Sequence, residues 1–576
     1  MATGNKLRGF KLPIKPEYQG GAVAQGFITP KQDGSPQVHS IPPKRVIPII
    51  FIPGIMGSNL RMSADRQASL KNENNIAWRP DNIFVTVPMQ NDTAAERQLR
   101  FDPLSTELDT YDVLNGDTGD VNETADMRNK SIHFSDQYAG SWKRIEGPLL
   151  QSDRPGVKDA KTRDQKARAR GWGEIFFNSY EEILSTCEVR LNGSFSESRK
   201  DSFLMDRIVN VSPSEWGAHP NPSLNNLDEK TLCAAIKGCW FPVHAMGYNW
   251  LKSNMESGIV TARRVKALIT YYQGLGYQCE KVILVTHSMG GLVARAMIHP
   301  EMGKIHELVL GVVHGVMPAI GAGTAYKRMR CGFEGSGISV KILGATGQDV
   351  TPVLGNSQGG LELLPSQAYG NGWLRFMQGG KAIKSLPENG DPYEEIYKAN
   401  DKWYGLLREE WINPANLPGA NLARANLLLD RAKFFHRSMA NTYHENSYAH
   451  YGADPDGRAW NKVNWEISGA VIEKETGVMS IISDDGKGSL ILMLPKNSSA
   501  QENKKGVLSA KMLAPTDPGD QTVPAHSADA QLRSGKFKGI FRQIGYEHQG
   551  SYSNEKVISA TLYSLLKIIA TMKWSK

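Results

Sequence analysis

The stretch KVILVTHSMGGLVARAMI (281–298) constrains this chain more than any other. Four apolar residues, Val282 to Val285, run straight into a turn that carries Ser288, and a helix of small residues follows. A run without polar alternation suits a strand buried on both faces, and such strands belong to parallel sheets covered by helices. The turn itself has the spacing small-x-Ser-x-Gly of a nucleophile elbow: Thr286-His287-Ser288-Met289-Gly290, then Gly291. An elbow forces its serine into a strained backbone conformation, so the residues two positions away must be small. Gly290 meets that demand on one side, while Thr286 stands where glycine is commonest. The rival reading is a strand-to-helix turn whose serine only caps the helix.

The surrounding chain repeats the α/β rhythm. RVIPIIFI (45–52) is a short apolar run stopped by Pro53-Gly54, as a buried strand would be. CWFPVHAM (239–246) and HELVLGVV (306–313) read as strands, and GIVTARRVKALITYYQGLG (258–276) as an amphipathic helix closed by Gly274 and Gly276. VMSIIS-DDGKG-SLILML is a hairpin with Asp485-Gly486 at its turn. The last strand is GKFKGIFRQI (535–544), and the last helix begins near Asn554. The expected architecture is α/β: a mostly parallel sheet with helices on both faces, assembled from 44–57, 171–317 and 463–576. Residues 58–170 form a first cap insertion, 318–462 a second, mainly helical one, and 1–43 an irregular N-terminal segment.

At 576 residues the chain is long enough for several domains or for one α/β core with large insertions. A net charge of +8 is modest for this length and favours an anionic surface without arguing for nucleic acid. The five cysteines form no CxxC pair, so metal spacing is absent; Cys233 and Cys239 bridge in an oxidising compartment or stay as buried thiols. MATGNKLRGFKLPIKPEYQGG lacks the apolar core of a secretory signal, and the apolar C-terminus is interrupted by Lys567. No EF-hand loop is visible; no cofactor is expected, and structural Ca²⁺ is left open.

A serine hydroxyl needs a histidine to take its proton, and the histidine needs an acid; in an elbow fold both follow the serine. Eight histidines lie after Ser288. His548, in the loop between the last strand and the last helix, is the first choice and His526 the alternative. Asp520, beside the turn residues Pro518-Gly519, is the expected acid, with Asp517 as alternative. The oxyanion hole takes one backbone N–H from Met289 and one from IIFIPGIMGSNL, at Ile55 or alternatively Met56.

FIPGIMGSN, the THSMGG elbow, LLPSQAYGN (363–371), the hairpin before GDQTVP and the late His548 together resemble the lecithin:cholesterol acyltransferase and GPI-inositol deacylase branch of the α/β-hydrolases. The layout, with two large insertions, is similar to bacterial type VI secretion lipase effectors of the TplE-like group. The resemblance implies a phospholipase made in the cytoplasm without a signal peptide and exported with type VI spike or tube components. It further implies action on phospholipid in a target cell's periplasm or membrane, and a cognate immunity protein in the producer. Rival readings are an acyltransferase, a neutral-lipid or short-chain esterase, and a non-catalytic binding protein on the same scaffold. Two stripes, Trp403/Leu407/Trp411 and Leu428/Ala432/Phe435/Met439, are either core or the apolar face of a lid. The basic stretches 154–170 and KRMR (327–330) are either solvated faces or headgroup contacts.

Overall fold

A computed structural model of the chain describes residues 43–110, 120, 128, 132, 150, 152, 161–192, 202–335, 338–469, 471–495 and 506–575, together with three short strands before residue 42. The central sheet starts with β1, Ile49–Ile52. Its side chains alternate between two cores, as the period of two requires: Ile50 and Ile52 on one face, Ile49 and Phe51 on the other. Helix α1, Phe177–Asn192, precedes β2, Val243–Ala245; α2, Asn254–Gly274, precedes β3, Val282–His287. The elbow leads into α3, Gly290–Ile298, followed by β4, Val309–Gly315, and α4, Gly323–Cys331. Then come α5, Leu422–Met439; β5, Ser447–Gly452; β6, Phe537–Gln543; and α6, Glu555–Ile569.

The spatial order is β2-β1-β3-β4-β5-β6, and every neighbouring pair is parallel. Parallel strands need crossovers, and the helices supplying them bury the sheet on both sides. Ala262 and Val265 of α2 join Leu292 and Val293 of α3 in one core; Tyr180 and Ile183 of α1 join Val557, Leu562 and Leu566 of α6 in the other. This explains why β3 and β4 are mainly apolar: every one of their residues, the polar Thr286, His287 and His314 included, is buried. Helix α2 starts four residues before its apolar period does, because Ser253 caps it through the Met255 N–H and the first turn is polar.

The expected limits of the second insertion need correcting. Ser447–Gly452 falls inside 318–462, yet it is β5, between β4 and β6 of the central sheet. Conversely, Val463–Ser468, Ser480–Asp484, Ser489–Met493 and Val507–Met512, placed in the core range 463–576, form a second six-stranded sheet with Leu374–Gln378 and Lys381–Leu386. The alternating burial of VNWEIS is that of a half-exposed strand, unlike the full burial of the central strands. Three short strands of the first insertion, Leu60–Met62, Ile76–Trp78 and Thr106–Leu108, make a small antiparallel sheet. The segment 1–43, expected to be irregular, holds three antiparallel strands, Ile14–Pro16, Ala22–Gly26 and Gln37–Ile41.

Both apolar stripes are core. Leu428, Ala432, Phe435 and Met439 of α5 are buried, as are Trp403, Leu407 and Trp411, so neither stripe is an open lid face. Of the basic stretch, 154–160 lies outside the described residues and Arg163–Ala169 is a helix. All five cysteines are free thiols. Among the described residues no helix is long and apolar enough to cross a membrane.

Candidate active site

Ser288 stands at the end of β3 with φ +52°, a left-handed conformation that costs a side chain energy and is kept only where the fold imposes it. Its N–H donates to the Gly315 carbonyl at the end of β4, 2.8 Å away. Gly290 allows the turn to close: a Cβ there would lie 2.4 Å from the Ile52 carbonyl oxygen and 2.5 Å from that of Pro53.

His548 lies in the loop between β6 and α6. Its Nε2 is 2.8 Å from Ser288 Oγ and its Nδ1 is 2.9 Å from Asp520 Oδ2. With the proton on Nδ1, the imidazole donates to Asp520 and accepts from the serine hydroxyl. Asp520 follows the short strand Asp517–Gly519 and packs on Gly452 at the end of β5, where a Cβ would come within 2.7 Å of Asp520 Cβ. Its Oδ1 accepts the N–H groups of Thr522 (3.1 Å) and Val523 (2.6 Å), and its carbonyl accepts the His548 N–H at 2.9 Å. Asp520 therefore holds His548 by main chain and side chain together. The alternatives are engaged elsewhere: His526 Nε2 meets the Tyr369 carbonyl at 2.9 Å, and Asp517 accepts from Asn461 and the Lys462 N–H, both at 3.3 Å.

After β1 the chain folds back through Gly54-Ile55-Met56-Gly57. The Gly57 N–H closes this turn on the Gly54 carbonyl at 3.1 Å, with Met56 at φ +59° and its carbonyl accepting from Trp78 Nε1 at 2.6 Å. The N–H groups of Ile55, Met56 and Met289 have no acceptor among the described residues. Gly54 presses on the elbow so closely that a Cβ would sit 2.8 Å from His287 Nδ1 and 3.0 Å from Ser288 Cβ.

Two residues outside the sequence reading complete the arrangement. Burial, and then the nearby His548, push the His287 imidazole down to about 3, so it is neutral. Burial pushes the Tyr180 hydroxyl up to about 12, so it keeps its proton. The Gly54 N–H donates to the Tyr180 oxygen at 3.3 Å, the Tyr180 hydroxyl donates to His287 Nδ1 at 3.1 Å, and His287 Nε2–H donates to the His548 carbonyl at 3.0 Å. This relay ties the glycine turn after β1 to the loop carrying the histidine. His287 was in view only as the variable position of the elbow; nothing in FFNSYEE marks Tyr180.

The site opens into a cavity of 350 Å³ lined mainly by apolar side chains, within the usual range for small-molecule sites. Away from it, His306, His444 and Glu445 bring three ligand atoms within 4.8 Å of one another. Both His444 ring nitrogens are already used, Nδ1 by the Asn446 N–H and Nε2 by the Val309 carbonyl, each at 3.1 Å. That trio would have to give up those bonds to hold a metal.

No family model matches the chain, and no curated protein sequence matches it. Among solved structures it is similar to a chain from the crystal structure of the Tle4–Tli4 complex, at 29% identity and a TM-score of 0.68, over 92% of this chain and 99% of that one. The six-stranded parallel sheet, helices on both faces and strained serine after β3 agree with that likeness: the chain has an α/β-hydrolase fold.

Proposed function

We propose that this chain is a serine phospholipase that hydrolyses acyl esters of membrane glycerophospholipids. The observation carrying the reading is the hydrogen-bonded line Asp520–His548–Ser288, which ends in an apolar cavity. Ser288 Oγ attacks the ester carbonyl while His548 Nε2 takes its proton, and Asp520 keeps the imidazole in the right tautomer. The oxyanion that develops meets the N–H groups of Met289 and Ile55, with Met56 beside them. His548 then protonates the departing glycerol oxygen, leaving an acyl-Ser288 and a lysolipid. The same histidine draws a proton from water, which releases the fatty acid.

The likeness to the Tle4 chain supports reading the enzyme as a type VI lipase effector; assignment to the TplE-like group rests on its sequence motifs alone. On this reading it travels with spike or tube components to a target cell's periplasm or membrane. An immunity protein restrains it in the producer, as Tli4 accompanies Tle4. The test is release of fatty acid and lysolipid from phospholipid vesicles by wild type, Ser288→Ala, His548→Ala and Asp520→Asn. Loss of the serine or the histidine is expected to remove ~10⁶ of the rate and loss of the acid ~10⁴. Wild-type activity in the Ser288→Ala protein would end the proposal. Transfer of the acyl group to an added alcohol in preference to water would make the enzyme an acyltransferase.

A further inference from the structure

The cavity beside Ser288 is walled by apolar side chains such as Trp78, Phe176, Met329 and Leu363, and such a wall accommodates acyl chain but offers nothing to a lipid's polar end. One guanidinium interrupts it. Arg328, on α4, is the single Lys or Arg among the described residues lining the cavity. Its neighbours on the same helix do not line the cavity: Lys327 Nζ donates to the Gly332 carbonyl at 2.8 Å, and Arg330 pairs with Asp484 at 2.6 Å. Glu547, the cavity's carboxylate, is turned back onto the N–H groups of Gln549 and Gly550.

Arg328 is also held in place. Its Nε and Nη2 each lie 2.9 Å from Glu334 Oε2, and Nη2 reaches Thr522 Oγ1 at 3.3 Å. Glu334 is shared with Lys327, 3.0 Å away, so two cations meet one carboxylate and a single positive charge is left over. No hydrogen bond among the described residues uses Arg328 Nη1. The Thr522 N–H donates to Asp520 Oδ1 at 3.1 Å, which places this cationic wall next to the proposed acid.

We propose that Arg328, with the Thr522 hydroxyl, forms a subsite for the phosphodiester of a glycerophospholipid whose acyl ester lies at Ser288. The inference rests on the ester-hydrolase reading given above. A guanidinium offers phosphate oxygens a planar fork of N–H donors, and Arg328 has one nitrogen still open. With its side chain only 22% exposed among apolar walls, its charge is screened less than on an open surface. The phosphorus of a glycerophospholipid is a few bonds from the ester being cut, so a charge on the cavity wall, not a distant patch, is what can reach it. Glu334 holds the guanidinium in position before substrate arrives.

The experiment compares kcat/KM on dioctanoyl phosphatidylglycerol and on dioctanoylglycerol in the same micelles, for wild type, Arg328→Gln and Arg328→Lys. The ratio of phospholipid to neutral lipid is expected to fall about tenfold or more in Arg328→Gln and to recover in part in Arg328→Lys. A ratio unmoved by Arg328→Gln overturns the subsite while leaving the esterase reading intact. Wild type that cleaves neither lipid overturns both. An independent measurement needs no variant: the uncleavable diether phospholipid should inhibit wild-type hydrolysis of dioctanoylglycerol more strongly than the matching diether of glycerol. Equal inhibition by the two diethers overturns the subsite. Inorganic phosphate as potent as the diether phospholipid would assign Arg328 to free anions and overturn the lipid assignment.

Discussion

Tyr180 reaches the site from a helix 107 residues before the elbow, and its hydroxyl joins Gly54 to His287. Tyr180→Phe keeps the ring against Phe51 but leaves a buried N–H and a buried imidazole nitrogen without their partner. Each lost hydrogen bond is worth about 0.5–1.5 kcal/mol net. Because the relay positions the glycine turn and the His548 loop, kcat on a soluble ester should fall about tenfold with little change in KM. Kinetics within twofold of wild type would show that the relay holds nothing in place. Ser288, His548 and Asp520 were readable as candidates because chain order and local turn chemistry point to them. Tyr180 was not, since its part depends wholly on neighbours far away in the sequence. KRMR shows the same limit: a basic run reads as one patch, yet α4 buries Arg330 and turns Arg328 to the cavity.

Helix α6 starts seven residues after His548, so its first turn anchors the loop that carries the imidazole. Asn554 Oδ1 accepts the N–H groups of Lys556 (3.0 Å) and Val557 (3.4 Å). Asn554→Ala should cost about 1 kcal/mol, and Asn554→Asp should restore most of it, as chemical denaturation would show. Equal stability of Asn554→Ala and wild type would mean that the cap is idle. Gly290→Ala is expected to do more, because its new methyl meets main-chain oxygens that cannot move without moving β1. It should destabilise by about 1–3 kcal/mol and displace Ser288 from His548, so that a serine-directed probe no longer labels the protein. Labelling at the wild-type rate would contradict the close approach. Elements with strong local patterns, such as β1, β3, the elbow and the Asp485-Gly486 hairpin, were legible in advance. β5 was not: SYAHYG has none of the branched aliphatics that mark a buried strand, and only its pairing with β4 and β6 makes it one. VNWEIS carries the alternation of a half-exposed strand, which separates it from the central strands, whereas the unbroken apolar run of SLILM hides the same half-exposure.

At the scale of the whole molecule, six imidazoles among the described residues, His244, His287, His314, His436, His444 and His450, are held below their ordinary value with burial as the leading cause. His287, His314 and His450 come down to about 3 and His436 to about 4, and His244 is also well below the usual range. Neither ring nitrogen of His314 or of His450 has a hydrogen-bond partner among the described residues, so neither has an acceptor ready for a second proton. In the unfolded chain each imidazole takes its proton near pH ~6.5. Between that pH and about 3 the unfolded state therefore binds more protons, and stability falls as the solution is acidified. Each histidine contributes a slope of up to about 1.4 kcal/mol per pH unit in that window. Glu362, which burial pushes up to about 7, acts the other way, because the folded state then holds a proton that the unfolded state has lost. Glu174, also raised by burial, opposes the histidines in the same sense. Asp81 and Glu181, raised by burial in the same way, bring the opposing carboxyls to four against six imidazoles, so the acid side is less stable by the remainder and the urea midpoint should be highest near neutral pH and fall from about pH 6 to pH 4. His450→Gln should flatten that drop by about one proton's worth of slope, provided the variant folds at pH 7. A midpoint that stays level from pH 7 to pH 5 in wild type would show that these imidazoles are reached by solvent and protonate without unfolding the chain.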